Sequence, residues 1–386
     1  MIYYIVPELI GEKLDEQPLA GMARRAISLA SVLEKYEKVT ILGMGKERNE
    51  MRHGKVVISL FPGNIRDFYR EVAYVLDKQI RREDIVHIFY SKSKKAGYLF
   101  GTYRVNPTKN ISYDRVVVEL CSTDTDRVQF EDDLIMCLKG GGVFSVMNKA
   151  ELGFVETVRE KFPISVINVP NAVDSNIYTP GYTRKRERMR SLFGISLDSI
   201  AIVTTGRLAE SKKLDCLVKS FPSVLEKFPS SELIICGSIL DIPKKRREYI
   251  KTGHRLKSIA RSCGVSNSLR ILPNVAAKDI AGILQCCDIF VMPSSREGMP
   301  TSLLEAMSTG LVCVVSDIPG NWDLIRSDSL RFELGDDARL AEILKMLISD
   351  SRKRNVVGNK NRELILSQYE SSNVAERFLG IYKTLV

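Results

Sequence analysis

"IAIVTTGRLAESKKLD", residues 200–215, is apolar and β-branched from Ile200 to Thr205, stops at Gly206, presents Arg207 and Lys212, and enters a helical pattern that runs to about residue 227. A short strand that ends in glycine and feeds a helix is one turn of an alternating β/α chain. The alternation continues downstream: ELIICG, a helix near 245–262, SLRILPN, a helix over 278–285, DIFVMPS, a helix over 301–309, and LVCVVS. Upstream the same grammar reads YYIV, a helix from about Gly21 to Tyr36, VTIL, VVISLF, a helix through Phe68 to Gln79, IVHIFY and VVVEL. Strands that alternate with helices in this way favour parallel sheets covered on both faces. Between the two series lies "NVPNAVDSNIYTPGYTRKRERMR", residues 168–190, polar, proline-bearing and basic, which reads as a hinge. A chain of 386 residues also exceeds what one core usually organises. The expectation is an α/β protein of two doubly wound Rossmann-like domains, 1–172 and 173–368, facing across a cleft at the carboxyl ends of their strands, where open α/β sheets bind ligands.

Composition narrows the class. Hydrophobic residues make up 44% and charged residues 27%, near the averages for globular chains. No run is apolar enough to cross a bilayer. The start, MIYYIVPELI, reads as a first strand and not as a signal peptide, which implies a cytoplasmic protein. Eight cysteines occur without CxxC spacing, and Cys236 and Cys313 sit in apolar strand patterns, which fits a reducing compartment and not a zinc site. The net charge of +10 is carried partly by clusters at Arg24–Arg25, Lys92 to Lys95, Lys185 to Arg190 and Lys244 to Arg247. Their default reading is solvated surface. If Arg24–Arg25 and Lys92 to Lys95 share a face, they offer a peripheral contact with an anionic membrane on its inner face. No basic motif is interleaved with aromatics, so nucleic acid is not an expected partner.

Residues that follow strands directly are the site candidates. Gly206 permits close backbone approach, and Arg207 and Lys212 beside a helix start suit a diphosphate. Gly237 repeats the strand-then-glycine device. Pro273 and Asn274 end a strand whose main chain can meet a base edge. In "SREGMPTSLLEAMSTG", Glu297 enters the loop after DIFVMPS, Pro300 opens a helix, and Thr301 to Leu303 offer unpaired N–H groups. Helical side chains lean toward the N-terminus, so Glu305 reaches back toward the loop that carries Glu297.

"EGMPTSLLE" is an E-x7-E match. Together with "GRLAESKK", "PNAVD" and the closing "QYESSNVAERFLGIYKTLV", it resembles the retaining GT-B glycosyltransferases of family 4, in order over roughly the last two hundred residues. "PLAGMARRAISLASVLEKY" resembles that family's glycine loop and following helix. The resemblance implies transfer of a hexosyl unit from a nucleotide-sugar to a hydroxyl of a glycan or lipid-linked acceptor, with retention. It implies that Arg207 and Lys212 hold the diphosphate, Glu305 the ribose, and Glu297 the sugar near the reacting carbon. Backbone N–H groups of Gly298, Met299, Thr301, Ser302 and Leu303, in the segment that includes Pro300, would meet sugar and phosphates, with Gly21 approaching from the other domain. It also implies that the first domain receives acceptor, that a final helix within 369–386 crosses back to it, and that no metal or other cofactor is required.

The sequence departs from the family in one place: where a histidine usually follows a first-domain strand, "VVVELCSTD" has Glu119, Leu120 and Cys121. His87, in "DIVHIFY", reads as a core residue. "DTD" at Asp124 to Asp126 reads as a polar loop and "KGGG" at Lys139 to Gly142 as a turn. Two rivals stay open at this level: a GT-B subunit without turnover that binds or chaperones a partner, and a nucleotide-sugar epimerase.

Overall fold

The computed structural model describes residues 1–10, 21–90, 113–121, 140–153, 165–238, 243–273 and 275–385. Asn274, Lys92 to Lys95, Asp124 to Asp126 and Lys139 lie outside them. The chain divides into two compact units, one formed by the N-terminal part through Ala172 together with Ser371–Val386, the other by Val173–Glu370.

The first unit is built in the order β1 (Ile2–Leu9), α1 (Gly21–Leu33), β2 (Val39–Met44), β3 (Asn49–His53), β4 (Val56–Phe61), α2 (Ile65–Gln79), β5 (Ile85–Tyr90), β6 (Val116–Leu120), β7 (Val143–Val146) and β8 (Ser165–Asn168). Its sheet runs β3-β4-β2-β1-β5-β6-β7-β8. Every pair is parallel except β3 with β4. Strand β3, "NEMRH", is polar and carries no strand-like hydrophobic pattern; it survives because it is an edge, where charged side chains are tolerated and discourage further pairing. One apolar layer packs α2 against Tyr3, Ile5, Leu42 and Val118. The opposite face packs α1 and a returning C-terminal helix, whose Phe378 and Tyr382 enter the core.

The second unit follows with α3 (Thr183–Phe193), β9 (Ile200–Arg207), α4 (Leu214–Lys227), β10 (Ser231–Ser238), α5 (Pro243–Ser262), β11 (Leu269–Pro273), α6 (Ala277–Cys286), β12 (Ile289–Met292), α7 (Thr301–Ser308), β13 (Val312–Ser316), α8 (Pro319–Trp322), β14 (Arg331–Phe332), α9 (Asp337–Ser349) and α10 (Ser351–Leu364). A short π-helical turn, Ile365–Tyr369, leads into α11 (Ser371–Thr384), the returning helix of the first unit. The all-parallel sheet order β11-β10-β9-β12-β13-β14 is the doubly wound order in which the winding reverses between its first strand, β9, and its fourth, β12.

The proposed hinge needs correction. Residues 183–193 are helical, and α3 belongs to the second unit. Nor is the basic run there all solvated surface: Arg190 is 2% exposed. It donates to the Cys286 carbonyl at 2.9 Å and pairs with Asp288 at 2.8 Å, while Arg186 holds the other Asp288 oxygen at 2.7 Å. Asp288 also accepts from the Ala201 N–H, so this cluster ties α3 to the starts of β9 and β12. A charge run in sequence does not reveal that its i, i+4 members share a largely buried carboxylate.

Candidate active site

The reversal between β9 and β12 places two loop starts side by side. Ser295, just past β12, donates to the Ser211 carbonyl from its N–H at 2.8 Å and from its hydroxyl at 3.0 Å. Across this tie the Lys212 ammonium forms an ion pair with the Glu297 carboxylate, both side chains being largely buried. Gly206, Arg207 and Lys212 line one small open pocket together with Thr205 and Ser294. Each requirement on the backbone is local. Gly206 has φ +147°, which disfavours any side chain, and Lys213 sits at φ +46° where the short turn Glu210–Lys212 hands over to α4. Two hydroxyls of its lining residues, Thr205 Oγ1 and Ser294 Oγ, are buried and make no hydrogen bond among the described residues. Neither was singled out from the sequence. Serine and threonine at strand ends are too common to be distinctive, and only the geometry shows that these two lie buried beside a pocket without partners among the described residues.

The Glu297 loop is gripped from beneath. A Cβ on Gly320 would lie 2.0 Å from the Glu297 carbonyl oxygen, so only glycine fits where α8 begins. Asn321 donates to the Ser316 carbonyl at 2.9 Å, and the Ser316 hydroxyl donates to the Ser294 carbonyl. Gly298, Met299 and Pro300 are buried, Thr301 and Ser302 half-buried, and Leu303 fully buried at the start of α7. Pro300 is the N-cap and provides no side-chain acceptor, which leaves the first turn of α7 dependent on other groups for its N–H donors. Glu305, one turn into α7, is 5% exposed, far from the solvated acid that its residue type suggests.

Gly237 has an explanation without a ligand: it pairs in register with Gly206, and a Cβ there would meet Leu208 at 2.7 Å and Tyr249 at 2.9 Å. Pro273 ends β11. Gly21 is the first residue of α1, in the first unit. Among the described residues no three His, Cys, Asp or Glu side chains cluster as a metal site would.

The first unit holds a second concentration of buried charge. Arg25, expected at the surface, is 3% exposed and reaches Glu119 with Nε and, at 3.2 Å, with Nη2. It also donates to Asn171 Oδ1 at 3.0 Å and to the Pro170 carbonyl at 2.9 Å. The Arg24–Arg25 pair is therefore no two-cation surface patch. His87, fully buried, bonds through Nδ1 to the Tyr382 hydroxyl at 2.7 Å and has Nε2 3.3 Å from Glu119, close enough to feel its charge but outside hydrogen-bond geometry. Burial alone would raise the Glu119 pKa, but Arg25, with a smaller part from the nearby His87, outweighs it and holds the carboxyl at about 2. Burial lowers that of His87, keeping the ring neutral. After β7, Glu151 accepts from the Met147 N–H at 3.0 Å while Asn148 caps the Glu151 N–H at 2.8 Å. Burial raises the Glu151 carboxyl to about 7.

Residues 185–364 match the family described as "Glycosyl transferases group 1". The chain is similar to a UDP-Gal:alpha-D-GlcNAc-diphosphoundecaprenol alpha-1,3-galactosyltransferase of Escherichia coli, at 27% identity over 229 residues, 58% of this chain and 55% of that protein. It is also similar to a D-inositol 3-phosphate glycosyltransferase of Corynebacterium aurimucosum, at 24% over 276 residues, 68% of this chain and 61% of that one. The chain thus spans between about half and three-fifths of the length of these curated relatives. Among solved structures, a sucrose-phosphate synthase from Thermosynechococcus elongatus superposes with TM-score 0.79 at 13% identity, covering 100% of this chain and 98% of the other. Anabaena HepE, solved in complex with UDP-glucose, does so with TM-score 0.74 at 14% identity and 100% coverage of both. The fold is GT-B.

Proposed function

We propose that this chain, whose residues 185–364 belong to the glycosyl transferases group 1 family and whose architecture is GT-B, moves a hexosyl unit from a nucleotide-sugar to a hydroxyl of a glycan or lipid-linked acceptor with retention at the anomeric carbon. The observation that carries the reading is the Lys212–Glu297 pair beside the pocket lined by Gly206 and Arg207, at the reversal point of the second sheet. A departing nucleoside diphosphate gathers negative charge, and fixed cations stabilise it most as it leaves. In the structure Glu297 neutralises Lys212. When a donor enters, its diphosphate takes over the ammonium together with Arg207, and Glu297 is released to accept from hydroxyls of the sugar beside the breaking bond.

In this reading Glu305 holds the ribose, and the loop end and first turn of α7, from Gly298 to Leu303, face sugar and phosphates. Gly237 flanks the base, and the first unit receives the acceptor. Arg207, Lys212 and the α7 N-terminus do the neutralising that a metal ion does in other transferases, so the reaction runs with none. Support for a nucleotide-sugar comes from the relative named for UDP-Gal and the neighbour solved with UDP-glucose. A cytoplasmic enzyme, peripheral at the inner membrane face, fits an acceptor carried on lipid.

The test is a thermal-shift screen of UDP-, GDP- and ADP-sugars, since a ligand that binds only the folded state raises its apparent stability. NMR of the product formed with the stabilising donor then reads the anomeric configuration. Stabilisation by no nucleotide-sugar, or an inverted product, overturns the reading.

A further inference from the structure

Helix α5, "PKKRREYIKTGHRLKSIARS", carries eight Lys and Arg and one Glu in its 20 residues. Its buried side chains, Tyr249, Thr252, Leu256 and Ala260, recur at helical spacing and seat it on the second unit. The opposite side is a line of exposed cations: Arg247, Lys251 and Arg261 stand at positions i, i+4 and i+14, with Arg246 and Lys257 beside them. None of these five side chains pairs with an acid or makes a hydrogen bond among the described residues. The acids nearby are already engaged. Glu248 accepts from the Glu210 N–H at 3.2 Å, and Asp215 pairs with Arg255 at 3.1 Å, off the exposed line.

We propose that this face of α5 docks on the anionic phospholipid headgroups of a membrane. At 1.5 Å per residue the line from Arg247 to Arg261 is about 21 Å long, a straight track that meets several headgroup phosphates at once. Ile250 lies within it and is 46% exposed, an apolar side chain placed to enter the headgroup boundary while the cations remain at phosphate level. A single-stranded nucleic acid would instead call for aromatics on which bases stack, and the one aromatic of α5, Tyr249, is on the buried side. No described helix is long and apolar enough to span a bilayer, so the contact is peripheral. Docking needs no sugar transfer and stands apart from the donor chemistry.

Co-sedimentation of the full chain with vesicles of phosphatidylcholine doped with phosphatidylglycerol tests this. Binding is expected to the doped vesicles, to fall with added salt, and to be absent with phosphatidylcholine alone. The triple variant Arg247→Gln, Lys251→Gln, Arg261→Gln should weaken partitioning roughly 100-fold, at about fivefold per cation removed. A control of equal charge, Arg66→Gln, Arg352→Gln, Lys360→Gln, all exposed and remote in sequence from α5, should change it little. Unaltered melting shows that both variants are folded. Equal loss in the two triples makes the attraction one of net charge and overturns the assignment to α5. So does failure to bind doped vesicles, or a chain that ignores vesicles yet binds a single-stranded oligonucleotide through the same three cations.

Discussion

Ser295 spends both its donors, N–H and hydroxyl, on the single carbonyl oxygen of Ser211. That contact fixes the distance between the loop that carries Lys212 and the loop that carries Glu297. Ser295→Ala keeps the backbone bond and loses the other, at a cost of about 1 kcal/mol in stability. Under the proposed function turnover should fall more than donor affinity, because a loosened loop misplaces Lys212 in the transition state before it weakens ground-state binding. Denaturant melts and a comparison of kcat with KM check both parts; an unchanged kcat discounts the tie.

Lys212→Ala should reduce kcat by about 100-fold to 1000-fold with little change in melting, the range for removal of one preorganised donor to a developing negative charge. Glu297→Gln should also lose turnover but keep or tighten binding of the free nucleoside diphosphate, since the ammonium is no longer held by a carboxylate. Titration calorimetry with the diphosphate separates the two variants. The indole of Trp322, the sole tryptophan of the chain, offers a second readout because it follows Gly320, which abuts Glu297.

Gly320→Ala forces a methyl group against the Glu297 carbonyl, a backbone atom that cannot rotate away. Overpacking of this kind costs about 1–3 kcal/mol. The expected signature is a lower melting temperature together with lost donor binding. A stable Gly320→Ala protein with native donor affinity contradicts the close packing of α8 on that loop.

Two buried carboxyls set opposite pH trends. Glu119 is held at about 2, below its unfolded value, so its contribution is present above pH ~4.5 and lost as pH falls toward 2. Glu151 is raised to about 7, so its protonated form stabilises the fold fully below pH ~4.5, and that contribution is lost as pH rises to 7. Glu151→Gln should flatten the decline in stability between pH ~5 and 7 while preserving an acceptor for the Met147 N–H. Glu119→Gln should destabilise by about 3–5 kcal/mol at neutral pH, because it strands Arg25 in the core. Urea melts across pH decide each.

The strand and helix order from β1 to β6, apart from β3, and from β9 to β13, and the loops that hold Arg207, Lys212 and Glu297, are legible in sequence because each follows from a local pattern: an apolar run, a glycine, a helical period. What is not legible depends on long-range closure. Strand β3 lacks a hydrophobic signal because it is an edge, and α3 hides inside a basic, proline-flanked stretch whose arginines fold onto Asp288. Arg25 looks solvated until Glu119, 94 positions later, is brought to it by the β1–β5–β6 pairing. Thr205 and Ser294 acquire meaning only when their strands are neighbours around the winding reversal.

The return of α11 carries a consequence for biosynthesis. Phe378 and Tyr382 complete the apolar layer over β1 and β5, and Tyr382 supplies the partner of His87. A ribosome must therefore translate the whole second unit before the first can close its core, so the N-terminal sheet waits half-finished in the nascent chain while the C-terminal one is made. Premature termination anywhere before residue 371 would leave His87 and its surrounding aromatics uncovered, a species suited to capture by chaperones and degradation.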